Sequence, residues 1–276
     1  MHAPNFPVQA LTFLLAFLAA TTRADDASTK GQEIFEKNQR AVVTVEMVTK
    51  TSYSKDGQTS APTDSKYELT GTVVDPSGLT VLALSGCEPA EFYRRVMPEY
   101  AAYKAESQIN NVKILLNDGN EMPAEIVLRD KDLDLAFIRP KTPPATPMPA
   151  VDLTKATSAK VLEQIITLNR LNNASGRAYS AAAERILAVI RKPRTFYVHD
   201  PSNTGTALGS PAFALDGNIL GVVVMRTGSS PGSNYRENAA SVIVPAEDIL
   251  KASKQVPPFQ NGAEKKAEGK DAKNQP

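Results

Sequence analysis

From Arg40 to Val244 the chain is a succession of short runs rich in β-branched residues, each closed by a turn signal. That pattern constrains the fold more than any other feature. Arg40–Val48 alternates around Val and Thr, and Leu69–Val74 runs through Asp75-Pro76-Ser77-Gly78 into Leu79–Leu84. Val112–Leu116 precedes Asn117-Asp118-Gly119-Asn120, whose residues tolerate the left-handed backbone a tight hairpin needs. Glu125–Leu128, Leu133–Ile138, Gln164–Leu168, Ala188–Ile190 and Phe196–Val198 follow. Pro211–Leu215 turns at Asp216-Gly217 into Ile219–Met225, and Ala240–Val244 closes the set. Many short strands at regular spacing predict an all-β sandwich or barrel.

Three stretches depart from this pattern. Pro140–Pro149 (PKTPPATPMP) lacks the amides a ladder or helix requires and reads as a linker between two β units. Cys87–Gln108 reads as one or two helical turns broken at Pro98, and Glu247–Lys254 as a closing helix. Asn261–Pro276 is polar and charged, as expected of a tail without a packed core. With 42% apolar residues in 276, the remainder can bury one large core or two small ones.

Ala10–Ala20 (ALTFLLAFLAA) is too short to span a bilayer and is followed by Thr22-Arg23-Ala24, the small-residue spacing of a signal-peptide cleavage site. Export to the periplasm or beyond is therefore expected, with the membrane met only in transit. Cleavage after Ala24 removes one cation, Arg23, and no acid, so the chain goes from +1 to about neutral. Neutrality argues against nucleic acid or an anionic membrane as the main partner. Cys87 stands alone, so no internal disulfide can form, and it is expected to be a small packing residue. No His, Cys or carboxylate spacing suggests a metal, and no cofactor is expected.

Four segments, in order, resemble the trypsin-like serine proteases of the HtrA type. Gly71–Ser85 (GTVVDPSGLTVLALS) is similar to the strand, turn and strand that end at the catalytic histidine. Val112–Ile138 resembles the hairpin and strand that present the catalytic aspartate. Phe196–Val224 resembles the segment with the nucleophile loop, and Ser241–Ile249 the last strand and the start of the C-terminal helix. The resemblance implies two six-stranded antiparallel β-barrels with an active-site cleft between them. The units would be a signal peptide (1–24), an N-terminal barrel (25–142), a C-terminal barrel (143–256) and a polar tail (257–276). The peptide-sensing PDZ domain common in that family is not expected after Lys254.

Carried over position by position, the resemblance puts the aspartate on Asp134, the histidine on Ser85 and the serine on Leu208. The oxyanion loop falls on Thr206, Ala207 and Gly209. A serine hydroxyl attacks a carbonyl only when a base takes its proton, and leucine has no nucleophilic atom at all. A binding or scaffolding protein without catalysis is the expectation, with a purely structural module as an alternative. The enzymatic alternative would use a displaced nucleophile, Ser210, or a base at His199, the one histidine left after Ala24. The bland expectation is that Ser210 fills a tight turn, His199 is a hydrogen-bonded structural residue, and Asp134 accepts backbone donors. After Ser85, Phe92, Tyr93, Tyr100 and Tyr103 lie with Arg94 and Arg95. Tyr and Arg are favoured anchors of protein interfaces, so this segment is a candidate for binding a protein or peptide partner.

Overall fold

The computed structural model describes residues 27–100, 102–200, 208–228 and 239–259. The expected signal segment therefore lies outside the described residues, as does the tail from residue 260 on. A helix, α1, covers residues 27–38. The first seven strands are β1 (Val42–Lys55), β2 (Gln58–Thr59), β3 (Thr63–Val73), β4 (Thr80–Ala83), β5 (Lys104–Leu115), β6 (Glu121–Asp130) and β7 (Leu135–Pro140). They run β1-β3-β4-β7-β6-β5 and close through a β5–β1 pairing, with the two-residue β2 appended to the end of β1. The other six are β8 (Gln164–Arg170), β9 (Tyr179–Ile190), β10 (Phe196–His199), β11 (Pro211–Ala214), β12 (Ile219–Thr227) and β13 (Ala239–Pro245). These form a second closed barrel in the order β10-β13-β12-β11-β8-β9. The fold is thus two six-stranded antiparallel barrels, as the resemblance implied.

Closure explains the burial pattern. Val45, Met47, Leu82, Ile114 and Ile138 fill the first barrel, and Ile165, Ile186, Leu220, Val223 and Ile243 fill the second. A third cluster lies between them, where Val81, Leu135 and Phe137 meet Phe213, Val222, Val224 and Val244. Strands β4, β7 and β12 therefore bury both faces and read as continuous apolar runs. Each large side chain so buried contributes roughly 1.5–3 kcal/mol. Ile249 and Ala252 of the closing helix, α4 (Ala246–Ser253), join the same cluster. The turns are where the sequence puts them; Gly217, at φ 80°, supplies the left-handed residue between β11 and β12.

The elements depart from expectation in three places. The helical turns after Ser85 are α2 (Leu84–Cys87), α3 (Pro89–Val96) and a 3-10 turn at Pro98–Tyr100. Lys104–Gln108, expected at the end of that helical stretch, belongs to β5 because it pairs with the far end of β1. Strand β9 begins at Tyr179 and not near Ala188, since its first half pairs with β8 residue by residue. At the C-terminal end the chain still touches the body at residue 257, where the Arg139 guanidinium donates to the Pro257 carbonyl at 2.7 Å.

Candidate functional site

The β6–β7 turn is wound by Asp130, whose Oδ1 accepts from the amides of Asp132 and Leu133, both at 3.0 Å. Leu133 is buried, and the turn ends with Asp134 in a left-handed conformation, φ 56°. That geometry aims the Asp134 carboxylate across the top of β4. Ser85 stands opposite: its amide donates to Oδ1 at 2.7 Å and its hydroxyl to Oδ2 at 2.8 Å. The Met225 amide, from β12 of the other barrel, donates to Oδ2 at 2.9 Å. Burial pushes the Asp134 carboxyl up to about 6, against the downward pull of these three donors and the charge of Arg95. A carboxylate in this position orients an imidazole in a catalytic triad. Instead its oxygens are taken by two backbone amides and by the Ser85 hydroxyl, whose single proton is spent on the carboxylate.

Leu208 and Gly209, which the resemblance assigns to the nucleophile loop, lead into β11 of the second barrel. Leu208 packs half-buried against the inter-barrel cluster and the interior of the second barrel. Gly209 has φ 96°, and a Cβ placed on it would lie 2.0 Å from the Thr70 carbonyl oxygen. The loop is pinned there because the Gly209 amide donates to Val223 O at 2.7 Å and Thr72 Oγ1 donates to Gly209 O at 2.7 Å. Ser210 is fully buried, its hydroxyl directed at Asn169 Oδ1, 3.4 Å away, which also accepts from Thr70 Oγ1 at 2.8 Å. An amide oxygen is no base, so no group among the described residues activates Ser210. Thr206 and Ala207 lie outside the described residues.

His199 ends β10 inside the second barrel. Its Nδ1 is 2.5 Å from Glu184 Oε2 and its Nε2 is 3.1 Å from Ser241 Oγ, while Thr167 Oγ1 donates to Glu184 Oε1 at 2.8 Å. The ring thus bridges the Glu184 carboxylate through Nδ1 and the Ser241 hydroxyl through Nε2. Sequence reasoning anticipated a hydrogen-bonded histidine but missed its partners. Their signal was weak: Thr167, Glu184 and Ser241 are polar residues at interior positions of three different strands.

The segment after Ser85 is split by its helix. Phe92 and Val96 face inward, whereas Tyr93, Arg94, Arg95 and Tyr100 are exposed. Tyr93, Tyr100 and Tyr103 form a row with ring centroids 6.4 and 6.2 Å apart, and Arg94 pairs with Glu91 at 2.8 Å. Arg95 turns the other way, into a pocket of about 400 Å³ beside Asp134 that is also lined by Lys131, Arg194, Phe196 and Arg226. A second pocket of about 530 Å³ opens beside Leu208, between Thr44 and Thr70 of the first barrel and Asn169 of the second. The cleft between the barrels is therefore open beside both Asp134 and Leu208. Cys87 is buried beside it, its carbonyl accepting from the Tyr67 hydroxyl at 2.9 Å, and burial pushes its thiol far up. Among the described residues no three His, Cys or carboxylate groups converge as a metal ion requires.

The family described as "Trypsin-like peptidase domain" matches residues 69–222, which contain Ser85, Asp134 and Leu208. No curated protein sequence matches the chain. Among solved structures, the MamO protease domain from Magnetospirillum magneticum is similar over 79% of this chain and 97% of its own, with 14% identity and a TM-score of 0.50. The Rv3671c protease from M. tuberculosis in its active form is similar over 82% and 85%, at 18% identity and TM-score 0.53. The HtrA-type protease AlgW with a tripeptide is similar over 84% of this chain and 64% of its own, at 14% identity and TM-score 0.54. At these identities the likeness is one of fold.

Proposed function

Because the chain belongs to the trypsin-like peptidase family yet carries Ser85 and Leu208 at two of the three triad positions, we propose that it is an exported pseudoprotease whose inter-barrel cleft binds extended peptide without cutting it. The observation that supports this reading is that Ser85 and the Met225 amide occupy the Asp134 oxygens that would orient a catalytic imidazole. Binding is supported by the edge of β12. Its Val223 backbone bonds toward Gly209 and Ser210, and its Met225 amide bonds the same way toward Asp134. Two residues on, the period of a strand turns the Thr227 amide and carbonyl in that direction, where no described group meets them. An extended peptide can pair there as an added strand. The row of Tyr93, Tyr100 and Tyr103 gives a larger partner a surface beside the same cleft. Export rests on Ala10–Ala20 and the cleavage-site residues after it.

A second reading rests on Ser241, His199 and Glu184, which stand in the nucleophile–base–acid order of a serine hydrolase. Against it, the imidazole and the carboxylate are both fully buried, and Glu184 is shared with Thr167.

The test is equilibrium binding of a panel of fluorescent extended peptides, followed by mass spectrometry of the recovered peptide. Saturable binding with every peptide intact is the expected result. Binding of none removes the groove, and shortened peptides remove the non-catalytic half of the reading.

A further inference from the structure

We propose that the pocket beside Asp134 receives acidic side chains of the bound peptide, so that the cleft selects carboxylate-bearing segments; this rests on the peptide-groove reading above. Four cations from four separate segments line that pocket: Arg95 from α3, Lys131 from the β6–β7 turn, Arg194 from the β9–β10 turn and Arg226 from β12. Among the described residues none of the four forms an ion pair. The neighbouring Arg94, by contrast, is held by Glu91 at 2.8 Å. Two acids also line the pocket, but the oxygens of Asp134 already take three donors and Asp132 is exposed. Four cations against two acids leave a local surplus of positive charge.

The site is also built to hold its charge. The Arg226 guanidinium lies 5.0 Å from the centre of the buried Phe196 ring, which fixes its direction and strips part of its water. Leu133 and Val224 add buried apolar wall, and ionic contacts strengthen as water is excluded. Guanidinium forks match carboxylates two bonds at a time. A volume of about 400 Å³ suits a few side chains. Met225 and Thr227 line the same pocket, so their strand edge would carry the peptide's backbone while the arginines read its side chains. A free phosphate would use the cations alone and leave that edge idle.

The experiment measures the affinity of the full chain for one extended peptide in Glu-, Gln- and Lys-bearing versions, at low and high salt, with inorganic phosphate as competitor. The Glu version should bind about tenfold more tightly than the Gln version at low salt. High salt should erase that preference, as should Arg95→Gln combined with Arg194→Gln, which brings the Glu version down to the affinity of the Gln version. Both arginines are exposed, and an unchanged melting temperature confirms that the variant folds. Equal affinity for the Glu and Gln versions overturns the acidic preference and leaves the groove standing. Failure of every version overturns both. Binding of phosphate without binding of any peptide shows a free-anion site and overturns the proposal.

Discussion

Asp134 is where the chemistry of the cleft is decided. In an active triad its carboxylate faces an imidazole that can take and return a proton; in this chain it faces Ser85, only 6% exposed, and the Met225 amide. Its carboxyl is raised from 3.8 to about 6 because burial outweighs its three donors. A group raised on folding stabilises the protein in full below its unfolded value and loses that contribution as pH rises through its folded one. Two units correspond to about 3 kcal/mol, present below pH 4 and gone once pH passes 6. Asp134→Asn, which cannot ionise, should therefore gain about 3 kcal/mol relative to wild type between pH 4 and pH 7 in urea titrations. A difference that stays constant across that range would show that Asp134 is not shifted. Asp134 was legible in the sequence from its place in the hairpin and strand. Its sealing was not, because Met225 lies ninety-one residues away and approaches only through the packing of the two barrels.

Among the elements, the strands legible in the sequence were those with β-branched alternation, and their turns fell at Asp-Gly and Asn-Asp-Gly as local chemistry dictates. The first half of β9 (YSAAAERI) was not legible, since alanine and glutamate disfavour strands and only the partner β8 holds them there. Helix α1 was missed as well; its apolar content is slight, and Ile34 becomes part of a core only by docking on the barrels. Barrel closure likewise brings Thr167, Glu184, His199 and Ser241 together from four strands. That network acts as a structural plug of the second barrel, and its removal should show in stability. His199→Ala removes the buried imidazole 2.5 Å from Glu184 and leaves a cavity, and should cost about 3–5 kcal/mol in chemical denaturation. A loss below about 1 kcal/mol would mean that water replaces the ring without penalty and that the plug contributes little.

At the scale of the molecule, the chain keeps the fold of a trypsin-like peptidase, and on the reading proposed above it lacks the machinery of one. The cores of both barrels and the layer between them are intact, and Thr72 to Gly209, Thr70 to Asn169 and Glu68 to Arg177 fasten the two barrels across the cleft. The ordered segments of the family could be read from the sequence because each is local, and the placing of Ser85, Asp134 and Leu208 rests on that same resemblance. The basic pocket could not be read that way, since it draws single residues from four distant segments. The central claim is that this cleft cannot transfer an acyl group. Its most direct measurement is turnover of an activated peptide ester, with fluorophosphonate labelling mapped by mass spectrometry, on wild type and on Leu208→Ser paired with Ser85→His. No turnover above solvent and no labelled serine in the wild type is the predicted result, with at most weak activity in the double variant. Wild-type turnover with a label on Ser210 or Ser241, lost when that serine becomes alanine, would contradict it.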